Sequence, residues 1–220
     1  MAGISQLQAV TLCQQVYAPI AAEAFDIVVS NENVTAGVKK FTDADGVVTT
    51  SITFAGSENA RDWYNDFDAL KFSHPLLGII HRGMWQGMDD IFVQLKPYLT
   101  GQLAISGHSL GCSHATLLAG LCAVFKLPVA QLTLFAPPRC SYAALIDIVT
   151  AWVGSILAYR NGIDPVPTVP YTFINEDWVS ISAYILLNEA PTGWLKWFKK
   201  FNPIEWHMIG LYMAGIRKLS

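Results

Sequence analysis

Apolar positions in this chain fall into short blocks with two different periods. Leu7, Val10, Tyr17 and Phe25, with Cys13 or Gln14 between them, lie near helical spacing and predict an N-terminal helix over residues 5–25. Two β-branched runs, residues 34–41 and 47–54, flank Asp43-Ala44-Asp45-Gly46. An Asp-Gly step between such runs predicts an antiparallel hairpin, because Gly takes the positive φ that a tight turn needs. Beyond it the blocks alternate. A helix is predicted over 85–98, a short apolar strand over 103–106 and a helix over 110–125. A strand follows over 129–135, ended by Pro137-Pro138, then a helix over 145–153 and a strand over 155–159 that leads into Asn161-Gly162. The tail from Trp194 is rich in aromatic residues and ends in a helix. Strands alternating with helices predict an α/β fold, with a mostly parallel central sheet flanked by helices and an antiparallel hairpin at its N-terminal side. No internal repeat or low-complexity linker interrupts the pattern, so residues 1–220 are expected to form one domain.

Composition narrows the function. Hydrophobic residues make up 52% and charged residues 14%, against a usual charged share of about 25%, which excludes disorder and coiled coil. Lys and Arg number 14 and Asp and Glu 17, a net charge of −3. With no basic excess to neutralise phosphates, no nucleic-acid partner is expected. Residues 97–125 lack Asp, Glu, Lys and Arg but contain Gln102, His108, His114 and several Ser, Thr and Gly. That is not a lipid-facing helix, and no transmembrane segment is expected. The first eight residues show no basic stretch followed by an apolar one. No signal peptide is therefore expected, and the cytoplasm is the default location, with secretion or release as the alternative. Among the cysteines, Cys112 and Cys122 stand ten residues apart in one predicted helix, about 15 Å and beyond disulfide reach. With no CxxC or Cys/His ligand spacing, buried free thiols rather than a zinc site are expected for Cys13, Cys112, Cys122 and Cys140.

Gly107-His108-Ser109-Leu110-Gly111 has the G-x-S-x-G pattern, directly after an apolar strand and directly before a helix. That context is what a nucleophile elbow requires. The turn is too tight for side chains at its flanking positions, and it pushes the central Ser into a strained, projecting conformation. The helix after it aims free amides at a developing anion. Elbows of this kind use the chain order Ser, acid, His. Of His74, His81, His108, His114 and His207, only His207 leaves room for an acid after Ser109. Between them lie Asp147, Asp164 and Asp177, with Glu176, Glu189 and Glu205. Asp164 is favoured, because Asn161-Gly162-Ile163-Asp164-Pro165-Val166-Pro167 is a loop at the end of a strand, where α/β sites assemble. Asp147 reads as a helix-surface residue and Asp177 as part of a solvated turn. The bland alternative for His207 is a core histidine beside Trp206.

Several motifs in order make the chain resemble the class 3 (fungal-type) lipases of the α/β-hydrolase superfamily, over about residues 30 to 215. Ile52-Thr53-Phe54-Ala55-Gly56-Ser57 is similar to the family's strand ending in Phe-Arg-Gly-Thr/Ser, and Asp62-Trp63 and Asp66-Phe67 to its Asn-Trp and Asp-Leu. Ile80-His81-Arg82-Gly83-Met84 resembles Val-His-x-Gly-Phe, and Gly107 to Gly111 is its Gly-His-Ser-Leu-Gly. Thr133-Leu134-Phe135-Ala136-Pro137-Pro138-Arg139 resembles Thr-Phe-Gly-x-Pro-Arg, and Asp164-Pro165-Val166-Pro167 matches the Asp-x-Val-Pro that carries the family's acid. The departures are Ala55 for the usual Arg, Cys112 for the Gly that often follows the elbow, and Tyr212 arriving two positions late in the family's His-x-x-Tyr.

The resemblance implies a serine esterase or lipase acting on acylglycerols or simple acyl esters through Ser109, Asp164 and His207. It implies an oxyanion hole at Ser57 and the Leu110 amide, and needs no metal or organic cofactor. A phenolic-ester (feruloyl-type) esterase or a phospholipase is the alternative on the same fold, and an inactive lipase-like binding protein a remote one. Residues 58–70 are expected to form a short lid helix, with Trp63, Tyr64, Phe67 and Leu70 as its apolar stripe against Arg61, Asp62, Asp66 and Asp68. Transient contact with a lipid surface is expected through Trp63, Trp194, Trp197, Phe198, Lys199 and Lys200. Trp favours membrane interfaces, and Lys attracts anionic head groups.

Overall fold

The computed structural model describes residues 3–17, 21–57, 70–170, 177–188 and 203–219. The chain opens with helix α1 (Gln6–Gln15), started by a reciprocal cap in which the Ser5 hydroxyl accepts from the Gln8 amide and the Gln8 side chain from the Ser5 amide. A single turn, α2 (Ala21–Ala24), leads into strands β1 (Ile27–Ser30), β2 (Thr35–Thr42) and β3 (Val48–Phe54). The small hairpin β4 (Lys71–His74) and β5 (Gly78–His81) follows, then helices α3 (Arg82–Trp85) and α4 (Met88–Leu95). The remainder alternates: β6 (Gln102–His108), α5 (Leu110–Val124), β7 (Val129–Phe135), α6 (Ala143–Trp152), β8 (Ile156–Arg160), β9 (Ile185–Leu186) and α7 (Ile209–Arg217).

Among the described residues the main sheet has seven strands, in the order β1-β2-β3-β6-β7-β8-β9. Strands β1, β2 and β3 are antiparallel, and pairing is parallel from β3 through β9. The expected mostly parallel sheet is thus present, entered through the expected hairpin at Asp43 to Gly46. There Gly46 has a φ of 79° and the Asp43 carboxylate accepts from the amides of Asp45 and Val47. Two cores cover the sheet. On one face α3, α4, α5 and α6 contribute Met84, Ile91, Leu117 and Leu145 against Ile52, Leu103 and Leu132. On the other, Val10 and Cys13 of α1 pack with Tyr212 and Ile216 of α7 over Phe135 and Tyr159. Apolar residues on both faces explain why β6 and β7 read as continuous runs rather than alternating ones. The register sets Phe54 beside Gly107 and Gly107 beside Leu134. The carboxyl ends of β3, β6 and β7 therefore open onto one point.

Two expected elements differ. The helix expected over 5–25 ends at Gln15. Pro19 lacks an amide hydrogen and disfavours helix in the residue before it, so apolar spacing alone overran the element. The helix expected over 85–98 is broken at Gly87, whose φ is 85° and whose carbonyl accepts from the Asn31 side chain. A 3₁₀ turn, Lys96–Tyr98, closes that stretch. Strands β1, β4, β5 and β9 were not anticipated. All are four residues or fewer, too short for a period to declare itself. Residues 58–69 of the expected lid lie outside the described residues. Leu70, at its end, is exposed, and its carbonyl accepts from the Arg82 amide.

Candidate active site

Ser109 sits between β6 and α5 with φ 57° and ψ −130°, a strained region for any residue with a side chain. Its amide donates to the Phe135 carbonyl at 3.0 Å, which ties the elbow to the neighbouring strand. The glycines on either side are sterically required. A Cβ on Gly107 would run into the Gly111 carbonyl, and one on Gly111 into the Phe54 carbonyl. Backbone atoms cannot give way as a flexible side chain can, so the steric reading of the motif holds at both positions.

His207 ends the turn Pro203–His207, and Asp164 follows β8. The two meet across the sheet end. In the tautomer with a proton on Nδ1, His207 donates to Asp164 Oδ2 at 2.9 Å, and its Nε2 accepts from Ser109 Oγ at 2.7 Å. All three are buried. The structure therefore brings together Ser109, Asp164 and His207, while Asp147 and Asp177 are exposed elsewhere. The Asp164 carboxylate also accepts from the Val166 amide at 2.9 Å and the Tyr212 hydroxyl at 2.6 Å. Burial by itself would raise its pKa. The hydrogen bonds and charge of His207, with those from Tyr212 and Val166, outweigh that and hold the carboxyl below its ordinary value. Asp164 thus stays ionised and oriented.

Three supporting residues were not anticipated. Tyr212 was noted only as out of register, yet its hydroxyl both donates to Asp164 and accepts from the Asn161 amide at 3.0 Å. His108, within the elbow motif, places its ring 4.7 Å from that of His207, and its Nε2 donates to the His207 carbonyl at 2.8 Å. The Tyr17 hydroxyl donates to its other nitrogen at 2.9 Å. Burial, with the adjacent His207, pushes the His108 pKa down to about 3, so His108 remains a neutral brace and adds no charge to repel an imidazolium. The signal available in sequence was general: a buried Tyr or His must find a partner. Its identity needed the fold. The neighbour of His207 is fixed as well. The Trp206 carbonyl accepts from Asn161 Nδ2 at 2.8 Å, and the Trp206 ring lies where a Cβ on Gly162 would be, at a φ of 49°.

Leu110 is the first residue of α5, half-buried beside Ser109. Ser57 follows β3 and is half-buried too. A Cβ on its neighbour Gly56 would lie 3.0 Å from the Ser109 Cβ, so this segment passes alongside the nucleophile candidate. The residues expected at a lipid surface, Trp63, Trp194, Trp197, Phe198, Lys199 and Lys200, lie outside the described residues. Cys13, Cys112, Cys122 and Cys140 are free thiols, all buried. No helix among the described residues is long and apolar enough to cross a membrane.

A model of the family described as lipase (class 3) matches residues 51–174. The secreted mono- and diacylglycerol lipase A of Penicillium cyclopium is 31% identical over 171 residues, covering 72% of this chain and 54% of that protein. The chain thus spans about half the length of the curated relatives it matches. Among solved structures, a mutant of the Penicillium cyclopium enzyme superposes with a TM-score of 0.64 at 23% identity, over 86% of this chain and 81% of that one. The Rhizomucor miehei triacylglyceride lipase does so with a TM-score of 0.58 at 22% identity, over 74% and 72%. The fold is that of the α/β hydrolases. The relatives whose names state a location are secreted, so the comparisons do not support the cytoplasmic default.

Proposed function

The chain belongs to the class 3 lipase family, and on that premise we propose that it is a serine hydrolase of lipid carboxylic esters. The observation that carries this reading is the unbroken line of hydrogen bonds from Ser109 through His207 to Asp164. Ser109 Oγ attacks the ester carbonyl as its proton passes to His207 Nε2. Asp164 holds the ring in the required tautomer and stabilises the imidazolium. The amides of Leu110 and Ser57 receive the oxyanion. The protonated His207 then hands its proton to the leaving alcohol, and water releases the acid by the same steps. Tyr212 and His108 keep the partners in place, one at the acid and one at the His207 carbonyl.

Mono- and diacylglycerols are the substrates named for the Penicillium relatives, and partial glycerides are the class we assign first. The same names point to secretion as the location. The aromatic and basic residues at 194–200, with Trp63, are assigned to transient contact with the lipid surface, and residues 58–70 to a lid. Substituting Lys196, Lys199 and Lys200 by Gln is expected to weaken binding to anionic vesicles and activity on emulsions, while hydrolysis of a small soluble ester stays unchanged. Parallel loss on both substrates would make the stretch structural.

The test of the central reading is a burst experiment with an activated p-nitrophenyl ester. Wild type is expected to release a stoichiometric burst. Ser109→Ala is expected to lose the burst and, with it, orders of magnitude in kcat, and a Ser109→Ala/His207→Ala double variant to lose little more, since the residues act as a unit. Ser109→Ala with an intact burst would remove the assignment. A chain-length series of glycerides against phenolic esters and phospholipids then fixes the substrate class.

A further inference from the structure

The residue after the elbow is Cys112, where the resembled lipases often have Gly. Its side chain is fully buried, and its Sγ lies 3.1 Å from the Gly107 carbonyl oxygen and 3.1 Å from that of Phe135. The backbone of the same residue donates to the Ser109 carbonyl at 2.9 Å. The Phe135 carbonyl is also the acceptor that holds the Ser109 amide. One residue therefore reaches the carbonyl that enters the elbow, the carbonyl within it and the strand carbonyl to which the elbow is tied.

The conformation being held is a costly one. A non-glycine residue at positive φ stores on the order of 1–3 kcal/mol and persists only where its surroundings over-determine it. Glycine at 112 would leave the two carbonyls without a side-chain donor. A thiol is a weak donor, but rotation about its Cβ–Sγ bond lets its one proton turn to either of the two carbonyls within reach. Burial pushes the Cys112 pKa well up, which keeps that proton on sulfur and the donor in place.

We propose that Cys112 is a positioning residue for Ser109, its thiol clamping the carbonyls of Gly107 and Phe135 so that Ser109 Oγ stays aligned with His207. The inference rests on the reading of Ser109 as nucleophile, and it assigns the thiol no reactive role of its own. It predicts that a chain which lacks the usual Gly at this point has exchanged backbone freedom for a side-chain tether.

The experiment compares Cys112→Ala, Cys112→Gly and Cys112→Ser in the full chain, using pre-steady-state burst kinetics on a soluble p-nitrophenyl ester. Folded fraction is measured by circular dichroism and thermal unfolding on the same samples. Losing one such hydrogen bond is expected to slow acylation and kcat about five- to tenfold per folded molecule, with KM unchanged. Cys112→Ser, which keeps a donor, is expected to recover most of the acylation rate. If Cys112→Ala fails to fold, Cys112→Gly and Cys112→Ser carry the comparison. Acylation within twofold of wild type in the donor-less variant that folds, or loss only in proportion to unfolded protein, overturns the inference. So does a Ser variant as slow as the donor-less one. Ser109→Ala run alongside separates the two readings. If it abolishes the burst while the Cys112 series is flat, only the tether falls; if it leaves the burst intact, the nucleophile assignment falls first.

Discussion

At the scale of single residues, the site depends on how completely the Asp164 carboxylate is satisfied. It accepts from His207, Tyr212 and Val166, and only the first of these was foreseen from the order of residues along the chain. Tyr212 was not foreseen as a partner of the acid because the family's spacing, His-x-x-Tyr, is not met. α7 begins at Ile209, and the turn of chain before it carries Tyr212 back under the acid despite the two extra positions. The expected consequence is testable. Tyr212→Phe removes a donor from the acid and an acceptor from the Asn161 amide, leaving a buried N–H unsatisfied. A stability loss of about 1–3 kcal/mol is expected, measurable by urea denaturation. Because the Tyr212 bond is one of those holding the Asp164 pKa down, its removal raises that pKa. With one donor fewer on the carboxylate that orients His207, kcat/KM per folded molecule is expected to fall severalfold. An unchanged kcat/KM per folded molecule while stability drops would confine Tyr212 to a packing role.

At the scale of elements, glycines separate what the elbow needs from what a helix merely tolerates. Gly107→Ala and Gly111→Ala each set a Cβ against backbone carbonyls, and loss of folded, active protein is expected from either. Gly210 is the contrasting position. It lies in the first turn of α7, exposed, and a Cβ there meets nothing within 4 Å among the described residues. Gly210→Ala is expected to stabilise by about 0.5–1 kcal/mol through lower unfolded-state entropy and better helix propensity, with the burst unchanged although His207 is only three residues away. Thermal unfolding and burst amplitude measured together check both halves; a destabilised or inactive Gly210→Ala would mean that α7 adjusts as the site works. The elbow was legible in sequence because its requirements are local: a strand, two glycines that cannot carry a Cβ, and a helix. Helix ends were less so. Gly87 breaks a run with good apolar spacing because Asn31, 56 residues away in sequence, takes its carbonyl, and such a partner has no trace in the run itself.

At the scale of the whole molecule, the parallel sheet was legible because both of its faces are buried, so its strands are continuously apolar and stand out between helices. The short edge strands β1 and β9 were not, since each gains its identity from the one neighbour it pairs with. The same two-sided burial has a consequence for acid stability. His114 lies inside α5, 1% exposed, its ring against Phe54 and its Nδ1 with no hydrogen-bond partner among the described residues. Burial lowers its pKa from 6.5 to about 4. The folded chain therefore holds His114 neutral at pH values where the unfolded chain protonates it. Its contribution is fully present above pH 6.5 and is lost as pH falls from there toward 4, because the unfolded state binds the extra proton. Between pH 7 and pH 5 that amounts to about 2 kcal/mol from this side chain. His108, lowered further still, adds in the same direction. Destabilisation is therefore expected to begin near pH 6.5, well above the carboxylate range and while Asp164 is still ionised. Replacing His114 by Leu, close in volume and without a titrating group, should flatten the profile by about 2 kcal/mol between pH 7 and pH 5, about 4–8 °C in melting temperature for a chain of this size. Melting curves of wild type and His114→Leu at pH 7, 6 and 5 decide it: a melting temperature that falls with pH in wild type but much less in the variant supports a buried neutral imidazole, and melting temperatures that fall in parallel would mean that His114 takes up its proton equally well in the folded chain.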